Sequence, residues 1–125
     1  MKYLIFIALG GAGGAVARYA IATWVHELWE GHMPVGTLLV NLVGSFAIGV
    51  VFVLIVEKQY IHADWRGVSM VGFLGAFTTF STFSLETIQL MESGHLFHAM
   101  GYMLMSVVIC VAAAGTAIYL TRLLA

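Results

Sequence analysis

A chain of 125 residues with 62% hydrophobic and 9% charged content, and a mean hydropathy of +1.01, lies far from the roughly quarter-charged make-up of soluble domains. It reads as an integral membrane protein of one small domain. A formal net charge of -1, from 5 Lys+Arg and 6 Asp+Glu, excludes the clustered basic surface of a nucleic-acid binder, and the single cysteine, Cys110, excludes an intrachain disulfide.

The first apolar run covers residues 3–25. At ~1.5 Å per residue it reaches ~34 Å, enough for a bilayer core. Lys2 ahead of it and the A-x-A triplet from Ala15 to Ala17 imitate a signal peptide. The run resumes after Arg18, however, so the segment is read as a retained helix. Residues 26–34 form a polar turn ending in Pro34, the only proline, which suits a helix start. A second span follows over 35–56, a loop over 57–66, a third span over 67–91, a short connection containing Gly94, and a fourth span over 99–123. Trp24, Trp29, Tyr60 and Trp65 fall near the proposed ends, where amphipathic rings favour the interface. The expectation is an all-α membrane protein of four transmembrane helices in contact with lipid. Lys2, Lys58, Arg66 and Arg122 share one side of that arrangement, which by the positive-inside rule places both termini in the cytoplasm.

Glycines are dense in the first span, with Gly10 and Gly14 four apart. Such rows let backbones approach closely in lipid, and here they favour a subunit interface over packing inside one bundle. Arg18 within that span is costly, ~2.5–3.5 kcal/mol on insertion scales. It either snorkels to the interface or provides a fixed positive charge at a watery vestibule. Thr37, Asn41 and Ser45 step by four along one stripe of the second span, as do Tyr102, Ser106 and Cys110 along the fourth. These stripes are either glue between helices or a hydrogen-bonding track, and the track is favoured. The five histidines lie in loops or at span ends, and no set of ligands suggests a metal site among them. No nucleophile, base and acid come together, so an enzyme is not expected.

The third span holds the unusual segment, GFLGAFTTFSTFSLET over residues 72–87. Thr78, Thr79, Ser81, Thr82 and Ser84 compete for backbone hydrogen bonds, and Gly72 and Gly75 loosen the same helix. A break is expected here. Interrupted backbone at membrane depth is tolerated only when buried or lining a cavity. Phe80 and Phe83 are three apart. They admit ordinary packing, or a face of positive ring edges toward an anion. Glu86, the only acid inside a span, admits a hydrogen-bonded or a proton-shuttling role.

Three segments in this order, GGAGGAVARY (10–19), GTLLVNLVGSFAIG (36–49) and GFLGAFTTFSTFS (72–84), closely resemble the Fluc (CrcB) family of small microbial fluoride channels, and the resemblance covers nearly the whole chain. It implies a passive, fluoride-selective channel of the bacterial inner membrane that exports fluoride and lowers its toxicity. It further implies an antiparallel, dual-topology homodimer of four-helix subunits with a broken third helix. By resemblance Asn41, Phe80, Phe83, Tyr102 and Ser106 belong to the fluoride pore, with Ser81 and Thr82 counted alongside them. Arg18, Thr37 and Glu86 belong to its vestibule. The carbonyls of Gly75 and Thr78, doubled by the dimer twofold, match those that hold a buried structural Na+. Cys110 stands where a small hydroxyl is expected in some relatives. Dual topology calls for little Lys/Arg bias, whereas this chain carries four such residues on one side against Arg18 on the other. A proton-coupled exporter of small drugs, also four-span and dimeric, is the competing expectation. It needs a mid-span carboxylate in its cavity, and only Glu86 offers one. A non-transporting assembly subunit is the third.

Overall fold

The computed structural model describes residues 1–125. Helix α1 spans Lys2–Leu28. Helix α2 spans Val35–Phe52 directly after Pro34, and continues in wider π turns, π1, over Val53–Glu57. The next spanning segment opens as a π helix, π2, over Arg66–Leu74. It tightens to one α turn, α3, at Gly75–Phe77, and resumes as α4 over Phe80–Glu92. Gly94, with φ of 85°, makes the turn into α5, Leu96–Leu124. There are no strands. Four segments are long and apolar enough to cross a membrane: Lys2–Leu28, Val35–Glu57, Arg66–Glu92 and Leu96–Leu124. At 29 residues α5 reaches ~43 Å, more than the ~30 Å hydrocarbon core, which favours tilt.

Contacts at the two ends fix the topology. Lys2 Nζ lies 3.4 Å from Asp64, Arg122 pairs with Glu57 through two nitrogens, and the Tyr60 hydroxyl donates to the Ala125 carbonyl at 3.0 Å. Both termini and the π1–π2 loop therefore share one end, together with most of the basic residues. At the opposite end the α1–α2 loop meets the α4–α5 turn, where the His32 and His95 rings lie 3.9 Å apart.

Helix α1 packs along π2 and α3, and α2 along α5. Lipid tails give apolar side chains no reason to prefer one another, so close backbone contact has to bring the spans together. A Cβ on Gly10 would stand 2.1 Å from the Val68 carbonyl oxygen, and one on Gly14 2.1 Å from that of Phe73. This row is therefore used inside the chain, against π2, and is not available as the subunit interface that the spacing favours. Phe83, Leu90, Ala99 and Tyr102 form the buried cluster between α4 and α5. Most of the other large apolar side chains point outward.

Candidate ion site

The polar groups of the bundle converge on the third spanning segment. Thr78 (φ -85°, ψ 155°) and Thr79 (φ -148°, ψ 119°) are extended between α3 and α4. Their backbone is held by side chains that the rest of the chain supplies. Asn41 on α2 accepts from the Thr79 N–H at 2.7 Å through Oδ1 and donates to the Thr79 carbonyl at 3.0 Å through Nδ2. Arg18 Nε donates to the Ala76 carbonyl at 3.0 Å. Thr79 Oγ1 caps α4 by accepting from the Thr82 N–H at 3.2 Å. Arg18 is thus anchored on α3, just before the extended residues, and not drawn out to the interface.

These contacts redirect the donors that would serve two carbonyls. In an uninterrupted helix the Thr79 N–H serves Gly75 and the Thr82 N–H serves Thr78. Here those N–H groups go to Asn41 and to the Thr79 hydroxyl. Gly75 and Thr78 are left with carbonyl oxygens free of their usual helical partners. Oxygen donors of this kind suit a hard cation, so the residues fit the sodium site that the resemblance implies.

Two cavities flank the extended pair. On one side a groove of about 420 Å³ is lined by Asn41, Gly75, Thr78, Phe80, Phe83 and Ser106, with Cys110 beside them. On the other, a more polar cavity of about 190 Å³ brings together Arg18, His26, Thr37, Thr79, Thr82 and Glu86. Thr37 Oγ1 donates to Glu86 Oε1 at 2.5 Å. The Tyr102 hydroxyl lies beside Thr37 and Glu86 but meets neither at hydrogen-bonding geometry. It is buried without a partner, as are Ser106 Oγ and Glu86 Oε2.

Three rings run from the edge of the groove inward. Phe80 and Phe83 have centroids 5.3 Å apart and tilted by 51°, and Phe83 and Tyr102 are 5.0 Å apart and tilted by 60°. Phe83 is 8% exposed and Tyr102 0%, whereas Phe80 is 76% exposed. Phe80 is therefore not a packing residue within this chain.

Of the residues singled out from sequence, Asn41, Phe80, Phe83, Ser106, Gly75 and Thr78 meet in the groove, and Arg18, Thr37, Thr82 and Glu86 in the polar cavity. Tyr102 is buried between α4 and α5. Ser81 is exposed and lines neither cavity; its hydroxyl lies 3.4 Å from that of Thr79. Several other hydroxyls bond to carbonyls one turn back: Thr78 to that of Leu74 at the end of π2, and, within α4, Ser84 to that of Phe80 and Thr87 to that of Phe83. His26 is a site residue that the sequence placed only in a polar turn. Its one available signal was its position eight residues after Arg18, about two helical turns along α1.

Fold and site together define a small, four-span helical membrane protein whose polar side chains gather inside its third spanning segment. A family model described as "CrcB-like protein, Camphor Resistance (CrcB)" matches residues 5–118. A protein of Hahella chejuensis is 52% identical over 124 residues, covering 99% of this chain and 98% of its own. One of Saccharophagus degradans is 50% identical over 117 residues, 93% and 86% of the two chains. One of Coxiella burnetii is 40% identical over 120 residues, 95% and 97%. Each of these relatives is named fluoride-specific ion channel FluC. The chain belongs to the CrcB family, and it is a multi-pass bacterial membrane protein.

Proposed function

We propose that this protein is a fluoride channel that lets the ion leave the cytoplasm passively, and that it is not an enzyme. Its full-length relatives carry that name, and one observation supports the reading from the site itself. The hydroxyls of Tyr102 and Ser106 are buried beside Phe83 without partners. An unsatisfied buried donor costs ~1–3 kcal/mol, a cost that a passing acceptor relieves. Fluoride is small, strongly hydrated and acceptor-only, so a pore must replace its water with donors without holding it too tightly to leave.

On this reading the polar cavity around Arg18 and His26 is the vestibule, and the Arg18 charge draws anions toward the extended residues. The Thr37–Glu86 bond orients the carboxylate, leaving the Tyr102 O–H next to them as a donor to the ion. Phe83 and Phe80 offer ring edges, which carry partial positive charge and no fixed charge that would trap an anion. Ser106 continues the row of donors one turn further along α5. Asn41 has one N–H beyond the pair that grips Thr79.

The working unit is an antiparallel homodimer with a broken third helix in each subunit. Support comes from Phe80 and the groove beside it, an outward-facing surface that lipid leaves without polar partners and a second copy would cover. Sodium bound to the Gly75 and Thr78 carbonyls of both subunits would supply a fixed positive charge that neutralises their dipoles and ties the two breaks together. The exporter alternative finds one carboxylate near the cavity, Glu86, with an arginine lining the same cavity; that pairing suits an anion better than a cationic drug.

The test is fluoride efflux from proteoliposomes with a potassium ionophore and no proton gradient. Fluoride flux without chloride flux is expected, and proton-driven cation export in its place would overturn the proposal. Phe83→Ile and Phe80→Ile should each suppress flux with dimer elution unchanged.

A further inference from the structure

The end of the molecule opposite the termini carries three imidazoles that the ion path does not use. His32 comes from the α1–α2 loop, His95 caps α5, and His98 lies one turn into it. The His32 and His95 rings have centroids 3.9 Å apart at 30°. His98 meets both edge-on, at 5.9 Å from His32 and 5.5 Å from His95. Ser93 Oγ lies 3.1 Å from His95 Nδ1 and fixes that ring to the turn. The rings are stacked and crossed, not pointed at a common centre, and no group of His, Cys, Asp or Glu here could hold a metal ion.

The cluster stands at a third cavity, about 430 Å³, lined by His26 from α1, Trp29 and His32 from the loop, Glu86 and Gln89 from α4, and His95. Glu86 and His26 also line the polar cavity beside Arg18, so this third cavity leads toward the ion path. The titratable groups around it are His26, His32, Glu86 and His95, with His98 behind His32 and His95; no Lys or Arg lines it.

We propose that His32, His95 and His98 form a proton-sensitive latch. Neutral, they hold the α1–α2 loop against the α4–α5 turn and narrow the mouth of the cavity that leads to Glu86. Protonated, they part, and the mouth opens carrying positive charge that recruits small anions.

Three features of the geometry oppose charge on the closed latch. The rings are packed too closely for two cations to share the space. His95 sits at the positive end of the α5 dipole. Desolvation, then the neighbouring His32 and His98, hold the His95 pKa below the ordinary imidazole value. The sign follows. The closed form binds fewer protons than the open one, so acid favours opening, and release falls on the acidic side of ~6.5.

The flux arm of the test rests on the channel reading, and the structural arm does not. In full-length protein in liposomes with Trp24→Phe and Trp65→Phe, Trp29 reports on the loop alone. Its emission is expected to shift to the red between pH 7.5 and 5.5, and His32→Gln and His98→Gln should each abolish the shift. In the same vesicles fluoride flux, corrected for leak through protein-free liposomes, should rise by up to about tenfold with acidification, the low end of what field focusing at a charged cleft delivers. That rise should be lost in both variants. A Trp29 shift that is absent, or unchanged in both Gln variants, overturns the latch, as does a flux rise that both variants retain. Absence of fluoride flux at pH 7.5 overturns the channel reading instead, and Trp29 alone then decides the latch.

Discussion

Asn41→Ala is the most informative single substitution, because the extended residues lean on that one side chain. Asn41 makes two hydrogen bonds to the Thr79 backbone, at 2.7 and 3.0 Å. Removing the amide leaves a part-buried N–H and C=O unpaired, at ~1–3 kcal/mol each. Thr79 lines a cavity on either side, so water relieves some of that cost, and a loss of about 2–4 kcal/mol is expected. For a chain of this size the thermal unfolding midpoint should fall by about 10 °C. Asn41→Asp sharpens the test. It keeps the side-chain shape and the bond from the Thr79 N–H, but sets a carboxylate oxygen against the Thr79 carbonyl. Its loss should be no smaller than that of the alanine variant, although the side-chain volume is conserved. Melting followed by size-exclusion elution in detergent measures both. If Asn41→Ala melts within about a degree of wild type while fluoride flux persists, the backbone grip is not what holds Thr78 and Thr79 extended, and the account of the freed carbonyls fails with it.

Three further outcomes follow from the same geometry. Tyr102→Phe removes a buried hydroxyl that has no partner, so the melting midpoint should hold or rise while fluoride flux falls; a fall in both would make the hydroxyl structural. Gly14→Val drives a side chain into the Phe73 carbonyl, 2.1 Å from where its Cβ would lie, and should cost upward of ~3 kcal/mol, seen as loss of a monodisperse elution peak. With Cys110→Ser in the background, Ala125→Cys should be labelled by impermeant reagent from both faces of the membrane if the subunits insert antiparallel. Labelling from one face alone would leave a parallel arrangement, to which the shared end of Lys2, Arg66 and Arg122 points.

The four spans are legible in sequence because apolar length is a local property. The partners of the polar residues are not. Asn41 reads as one member of a stripe with Thr37 and Ser45, whereas its amide is mostly spent on Thr79, 38 residues away. Arg18 reads equally as a snorkelling side chain or a vestibule charge, and what speaks against snorkelling is its bond to the Ala76 carbonyl, 58 residues away. Gly10 and Gly14 announce a close approach, but nothing in their spacing says that the carbonyls of Val68 and Phe73 are what they approach. His95 and His98 are visibly three apart, yet His32, which completes the cluster, comes from a different loop. The hydroxyl run gives reason to expect competition for the backbone without saying which N–H groups would be diverted; that depends on Asn41 and on the Thr79 cap.

The donors and acceptors around Thr78 and Thr79 also constrain one another. Extended backbone within a span exposes carbonyl oxygens, and these repel an anion passing nearby. Arg18 covers the Ala76 carbonyl and Asn41 that of Thr79, so two of the acceptors are neutralised by side chains of the same chain. The Gly75 and Thr78 carbonyls have lost their helical donors to those same arrangements, and their residues line the groove that also contains Phe80, Phe83 and Ser106. Two uncompensated acceptors beside a row of unpartnered hydroxyls would work against an anion path. On the proposed reading, a cation on those carbonyls removes the conflict, so that the fluoride path and the sodium site are not two separate features but one electrostatic requirement met by the same four residues, Gly75, Ala76, Thr78 and Thr79, and the side chains that grip them.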